Sequence, residues 1–208
     1  MPSGNEDLER IVGVITRLLD KEIMPWLKKS GKPSKAEAAI ANAIIGDRVC
    51  GALADPLIRN EQEKRQLRSL SEFLCNRGYR LVETKDVLDF RSMPRGTFAH
   101  HLNVPAKIGR GKTVNMPIDV VVMRKGATDG DLPLLIECKS AGDFTNTNKR
   151  RKEEAAKIAQ LKSTYGSGVD FILFLCGYFD SGYLGYEAAE GIEWVWEHRI
   201  DDLEKAGV

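Results

Sequence analysis

A chain of 208 residues can bury one substantial core and has little left for a second. With 42% of its residues apolar and 29% charged it is neither a disordered tail nor a membrane protein, and no apolar run is long enough to span a bilayer. The net charge of +1 excludes a uniformly basic or acidic protein, so any affinity for a polyanion must lie in how the charge is distributed.

The N-terminus shows no basic, then apolar, signal segment. The four cysteines, Cys50, Cys75, Cys138 and Cys176, are scattered and mostly sit in apolar runs, which fits free, buried thiols in a reducing cytosol better than a disulfide frame or a zinc site. Of the three histidines, none stands at metal-ligand spacing from a cysteine or another histidine.

In chain order, Ile11, Val12, Ile15, Leu18, Leu19, Ile23 and Trp26 follow a 3.6-residue period and predict a helix over 8–27. Ser30-Gly31-Lys32-Pro33 ends it, and Ser34 caps a second, alanine-rich helix. Residues 1–54 therefore read as an N-terminal helical region, packed on or extending from a core formed by residues 55–208. Asp55-Pro56 marks a break, and a third helix is expected over 60–77, ending at Gly78 with Leu67, Leu70, Phe73 and Leu74 inward. Glu63 falls on the same stripe. It is either an acid suited to a helix N-terminus or a carboxylate aimed at chemistry from the helix side.

A first strand is expected over 79–83, then a long loop or irregular hairpin over 91–114. Residues 91–118 hold no Asp or Glu but carry Arg91, Arg95, Lys107, Arg110 and Lys112. Next come two apolar runs, Pro117-Ile118-Asp119-Val120-Val121-Val122 and Leu134-Leu135-Ile136-Glu137-Cys138-Lys139, around a polar turn. They read as an antiparallel hairpin. Pairing symmetric about Thr128 sets Asp119 opposite Glu137, with Glu137 and Lys139 on one face and Ile136 and Cys138 on the other. Three charges in otherwise apolar strands cost several kcal/mol unless paired or bound to a metal.

A helix follows over 148–164, headed by Lys149, Arg150, Arg151 and Lys152. Cations at a helix N-terminus carry the wrong sign for its dipole, and an incoming phosphate reverses that penalty. A buried strand is expected over 169–176, a Gly/Tyr-rich connection over 177–186, an edge strand over 193–197 and a short helix over 200–206.

The residue types point to metal-dependent phosphodiester hydrolysis. Mg²⁺ takes oxygen ligands and keeps several waters, so Asp119, Glu137 and the backbone carbonyl of Cys138 suit it; one or two metals fit this pattern, and Glu63 would matter more for two. Lys139 would orient the attacking water, help deprotonate it and offset charge in the transition state.

These residues, together with residues 55–67, 102–105, 140–154 and 185–199, resemble the XamI-type Type II restriction endonucleases of the PD-(D/E)XK nuclease superfamily. The resemblance implies an α/β restriction-endonuclease-like core, a mixed β-sheet flanked by helices, with the N-terminal helical region added. It implies an Mg²⁺-dependent enzyme of a restriction-modification system that cuts double-stranded DNA as a homodimer. It makes Asp119 and Glu137 metal ligands and Lys139 the catalytic lysine. For base reading, Arg and Asn are the favoured residue types. Arg95, Arg110, Thr145, Asn146, Thr147 and Asn148 are candidates, the Thr/Asn group being equally suited to turn and capping work. Lys149, Arg150 and Arg151 are expected on phosphates. A structure-specific or repair nuclease with the same core, or a DNA-binding module without catalysis, are the competing expectations.

Overall fold

The computed structural model describes residues 4–18, 24–28, 32–108, 111–141 and 147–208. The chain divides into two compact units, Met1–Ile58 and Arg59–Val208.

In the first unit α1 spans Gly4–Leu18, and Pro25–Lys28 forms one 3-10 turn. The helix expected over 8–27 is thus shorter at its C-terminal end. Leu8, Ile11, Val12 and Val14 of its apolar face are exposed. Helix α2 runs Lys35–Asn76 and begins as the sequence predicts. The Ser34 amide donates to Glu37 at 2.7 Å and the Glu37 amide donates back to Ser34 Oγ at 3.2 Å, a reciprocal capping box. The break expected at Asp55-Pro56 is absent, because Pro56 lies inside α2. A helical proline forfeits the bond of its own missing N–H, at about 3 kcal/mol. With Ala52, Leu53 and Ala54 before it and Leu57 and Ile58 after it, the helix carries that cost. No described helix is long and apolar enough to cross a membrane.

The second unit is a six-stranded mixed sheet in the order β1-β2-β3-β4-β5-β6. The strands are β1 Arg80–Leu81, β2 Thr97–Ile108, β3 Lys112–Met123, β4 Leu134–Ala141, β5 Phe171–Gly177 and β6 Glu193–Trp196. Strands β2, β3 and β4 run antiparallel in succession, while β1–β2, β4–β5 and β5–β6 pair in parallel. The region expected as a loop or irregular hairpin is a long regular one, with Leu102, Val104 and Ala106 buried and Asn103, Pro105 and Lys107 exposed. Helix α3 spans Thr147–Tyr165. The Gly/Tyr-rich connection is a helix, α4 (Ser181–Ala189), because Asp180 accepts the Tyr183 amide at 2.6 Å and nucleates it despite two glycines. Residues Glu197–Ala206 close the chain in 3-10 turns.

Each face of the sheet carries its own core. On one, Ile158 and Leu161 of α3 and Tyr183 of α4 pack with Val121, Leu135, Leu173 and Leu175. On the other, Leu67, Leu70, Phe73 and Leu74 of α2 pack with Val120, Val122, Ile136 and Phe174. Each such side chain contributes roughly 1.5–3 kcal/mol on burial. Gly177 makes the end of β5 possible. At φ 95° a Cβ there would stand 2.2 Å from the Ala141 carbonyl oxygen of β4.

One irregularity organises the site. His101 has φ 49°, the one non-glycine residue with positive φ among those described. In register it faces Asp119, and both are missing from an otherwise continuous β2–β3 pairing that links His100 to Val120 and Leu102 to Ile118. Here the strands exchange faces. Val121 and Ile118, of opposite parity, both lie in the core under α3, as do Ala99 and Leu102.

Candidate active site

The β3–β4 register pairs Val120 with Ile136, Val121 with Leu135 and Val122 with Leu134, symmetric about Thr128 as the sequence predicts. One step further, at Asp119 and Glu137, the ladder stops. There the Cys138 amide donates to Asp119 Oδ2 at 2.7 Å, so a side-chain carboxylate stands where a strand carbonyl would have been. Burial first, and then the charge of Glu137, push the Asp119 carboxyl up to about 6, against the Cys138 bond and the lysines, which pull it down.

Toward α2, Asp119 meets Glu63 and His101. Glu63, His101 and Asp119 each bring one ligand atom within 4.8 Å of the others, and Glu63 lies 3.7 Å from His101 Nε2. Glu63 is exposed, one turn before the buried stripe that begins at Gln66 and Leu67. Two carboxylates and an imidazole, one carboxylate held up by a neighbouring negative charge, form a donor set fit for a divalent cation.

Toward α3, Glu137 is 7% exposed and both of its oxygens are engaged. Oε1 accepts from Lys139 at 3.0 Å and Oε2 from Lys157 at 2.7 Å. Lys139 also contacts Glu154 at 2.9 Å, and Lys157 donates to the Pro117 carbonyl at 2.8 Å. Two buried carboxylates thus balance two ammonium groups, which is what tolerates four charges in this core. Burial alone would depress Lys139, but Glu137 and Glu154 outweigh it and hold its ammonium above the ordinary lysine range. Burial pushes the Glu154 carboxyl up. As the strand alternation predicts, Ile136 and Cys138 face the other core.

The α2 side is also fastened to the strand ends. Gln66, 1% exposed, donates to the Phe174 carbonyl at 3.0 Å, and Ser140 donates to Gln62 at 3.0 Å.

The residues expected to contact DNA are distributed differently. Arg95 pairs with Asp129 at 2.6 Å across the turn region of the hairpin, beyond the Thr97–Met123 end of the strands, rather than beside Asp119. Arg110, Thr145 and Asn146 lie outside the described residues. Thr147, Asn148, Lys149, Arg150 and Arg151 form the first turn of α3, and their side chains lie outside the described residues.

Sequence reasoning missed His101, Glu154 and Lys157. Glu154, Ile158 and Leu161 follow the i, i+4, i+7 spacing of one helix face, so the periodicity that found the two apolar residues also marks the glutamate. Nothing local marks His101.

The chain is 49% identical over 200 residues to the Type II restriction enzyme SalI of Streptomyces albus G, covering 96% of this chain and 63% of that protein. It therefore spans less than two thirds of the length of the curated relative it matches. A chain of the Vibrio cholerae protein VC1899 overlaps 53% of this one and 26% of itself at 15% identity, with a TM-score of 0.37, too low to carry an argument. The model of the XamI restriction endonuclease family matches residues 1–196. On that match, the chain belongs to the XamI restriction endonuclease family.

Proposed function

We propose that this protein is a Type II site-specific endodeoxyribonuclease that hydrolyses phosphodiester bonds of double-stranded DNA within a restriction-modification system. The observation that carries the reading is the end of the β3–β4 ladder at Asp119 and Glu137, beside which Asp119, Glu137 and Lys139 stand together. Residues 55–208 are assigned the nuclease core and residues 1–54 a helical region. Action at a palindromic site as a homodimer, and a cytoplasmic location, belong to the same reading.

Asp119, Glu137 and the Cys138 carbonyl would hold Mg²⁺, with Glu63 contributing from α2. The bound cation would supply Lewis-acid polarisation of the phosphate and a more acidic water. Lys139 stays protonated between Glu137 and Glu154, so it serves as a donor. It can orient the attacking water or bind a phosphate oxygen as negative charge grows. Lys157 has the Pro117 carbonyl as a second acceptor, so it can release Glu137 Oε2 and stay bonded. Lys149, Arg150 and Arg151 are assigned to phosphates, where they position the duplex without specifying sequence.

Incubating plasmid and phage DNA with Mg²⁺ should yield discrete fragments whose sequenced ends share one site. Glu137→Ala and Lys139→Ala should abolish cutting. Full Mg²⁺-dependent cleavage by both variants would remove the catalytic assignment. Cutting only at junctions, flaps or ends would replace a site-specific enzyme with a structure-specific one. Lys149→Ala should flatten the salt dependence of DNA binding.

A further inference from the structure

The surface that reads the bases is not settled by the carboxylate site, and the half of the β2–β3 hairpin beyond His101 has the features such a surface needs. Over residues 102–108 and 112–118 the two strands form a ribbon with two unlike faces. One face, Leu102, Val104, Ala106, Met116 and Ile118, is buried against the core under α3. On the other, Asn103 stands opposite Pro117, Asn115 opposite Pro105, and Lys107 opposite Thr113, and all six are exposed.

Three properties make this face a nucleic-acid surface. It holds no carboxylate, since residues 91–118 contain no Asp or Glu, and Lys107 adds positive charge. Its polar groups are uncommitted, for neither asparagine side chain bonds to another described residue. Its backbone is fixed from behind by α3. Lys157 donates to the Pro117 carbonyl at 2.8 Å, Tyr165 donates to the Pro105 carbonyl, and the Lys107 amide donates to Thr164 Oγ1 at 2.8 Å. The ribbon is therefore held rigid while its front stays open, which lowers the ordering cost of binding.

The dimensions fit duplex DNA. A two-stranded ribbon enters the major groove, and the four steps from Asn103 to Lys107, at about 3.4 Å each, run alongside about four base pairs. The ribbon begins where the carboxylates end: Asn103 is two residues past His101, and Pro117 two before Asp119. An asparagine can bond an adenine bidentately through its N6 and N7 edge.

We propose that the outer face of this ribbon, centred on Asn103 and Asn115, enters the major groove of duplex DNA and reads the bases beside the bond that is cut. The inference rests on the proposed function above and adds the residues that confer its sequence choice.

Two measurements test it separately from that function. In the first, the site cut by the unaltered protein is mapped and placed in a short duplex. Asn103→Ala and Asn115→Ala are then assayed with Mg²⁺ on it and on duplexes with single base-pair changes. Each variant should lose roughly ten- to a hundredfold in kcat/KM on the mapped site and should discriminate less at one position, as expected for a lost bidentate contact. Unchanged kcat/KM and discrimination would overturn the proposal and leave the enzyme assignment standing. In the second, binding of the same duplex is measured without metal against salt concentration. Lys107→Ala should bind more weakly, with a shallower salt slope. Wild-type affinity and slope would overturn the ribbon as a DNA surface, whether or not the protein cuts. All three side chains are exposed, so loss of folding does not confuse either result.

Discussion

Replacing Asp119 by Asn should make the metal-free protein more stable while destroying its proposed chemistry. Asp119 lies at about 6 instead of 3.8, because it is buried and faces Glu137. At 1.36 kcal/mol per pKa unit, that difference comes to a cost of roughly 3 kcal/mol for keeping the carboxylate charged in the folded chain. Above pH 6 the group is ionised in both folded and unfolded chains, and the full cost is present. Between pH 6 and 3.8 the folded chain binds a proton that the unfolded chain does not. Stability from this group therefore rises as pH falls, the remaining cost being about 1 kcal/mol at pH 4.5, and below 3.8 it is gone. Asn keeps an oxygen to accept the Cys138 amide, so the local bond survives. Urea denaturation in EDTA should show Asp119→Asn more stable than the wild type by about 1–3 kcal/mol at pH 7.5, with the gap narrowing by pH 4.5. Mg²⁺ at pH 7.5 should stabilise the wild type and leave the variant unmoved. A variant no more stable than the wild type at pH 7.5, or a gap independent of pH, would refute the reasoning.

Three other substitutions probe the same region. Glu154→Ala strips Lys139 of a partner that is 3% exposed and should cost about 3 kcal/mol in urea denaturation at pH 7.5, with cleavage falling in parallel; an unchanged midpoint would remove Glu154 from the network. Lys157→Met frees Glu137 Oε2 of its ammonium, so calorimetry should show Mn²⁺ binding more tightly without DNA, and weaker binding would contradict the competition implied by the 2.7 Å contact. Gly177→Ala sets a Cβ 2.2 Å from the Ala141 carbonyl at a φ of 95°, and thermal melting should report a loss of roughly 3 kcal/mol or more, a wild-type Tm being the opposing result.

The carboxylate hairpin was legible because its strands are apolar except where they do chemistry. Val120–Val122 and Leu134–Ile136 leave a single sensible register, and turn chemistry around Thr128 centres it. The partners of Glu137 were harder to see. Glu154 ends a run of charged residues, and only its spacing from Ile158 and Leu161 marks it as inward. Lys157 belongs to the site only because β3 and β4 part beside it, and that parting is a tertiary event. Pro56 misled because a proline inside α2 disturbs one bond while the long helix around it persists. Asp180 carried a capping signal that the glycines of α4 obscured. The left-handed turn at His101 left no local trace, since histidine has no marked preference for it comparable to glycine's.

The exchange of faces at His101 and Asp119 also divides β3 by its freedom to change. From Val120 to Met123 every side chain is enclosed, so any substitution there disturbs one core or the other. Before Asp119, alternate positions such as Thr113 and Asn115 are exposed and lie outside both cores. The carboxylate sits on the boundary between a half that must stay constant and a half that can drift. A substitution on the exposed face two residues from Asp119 can therefore change that surface without moving Asp119 itself.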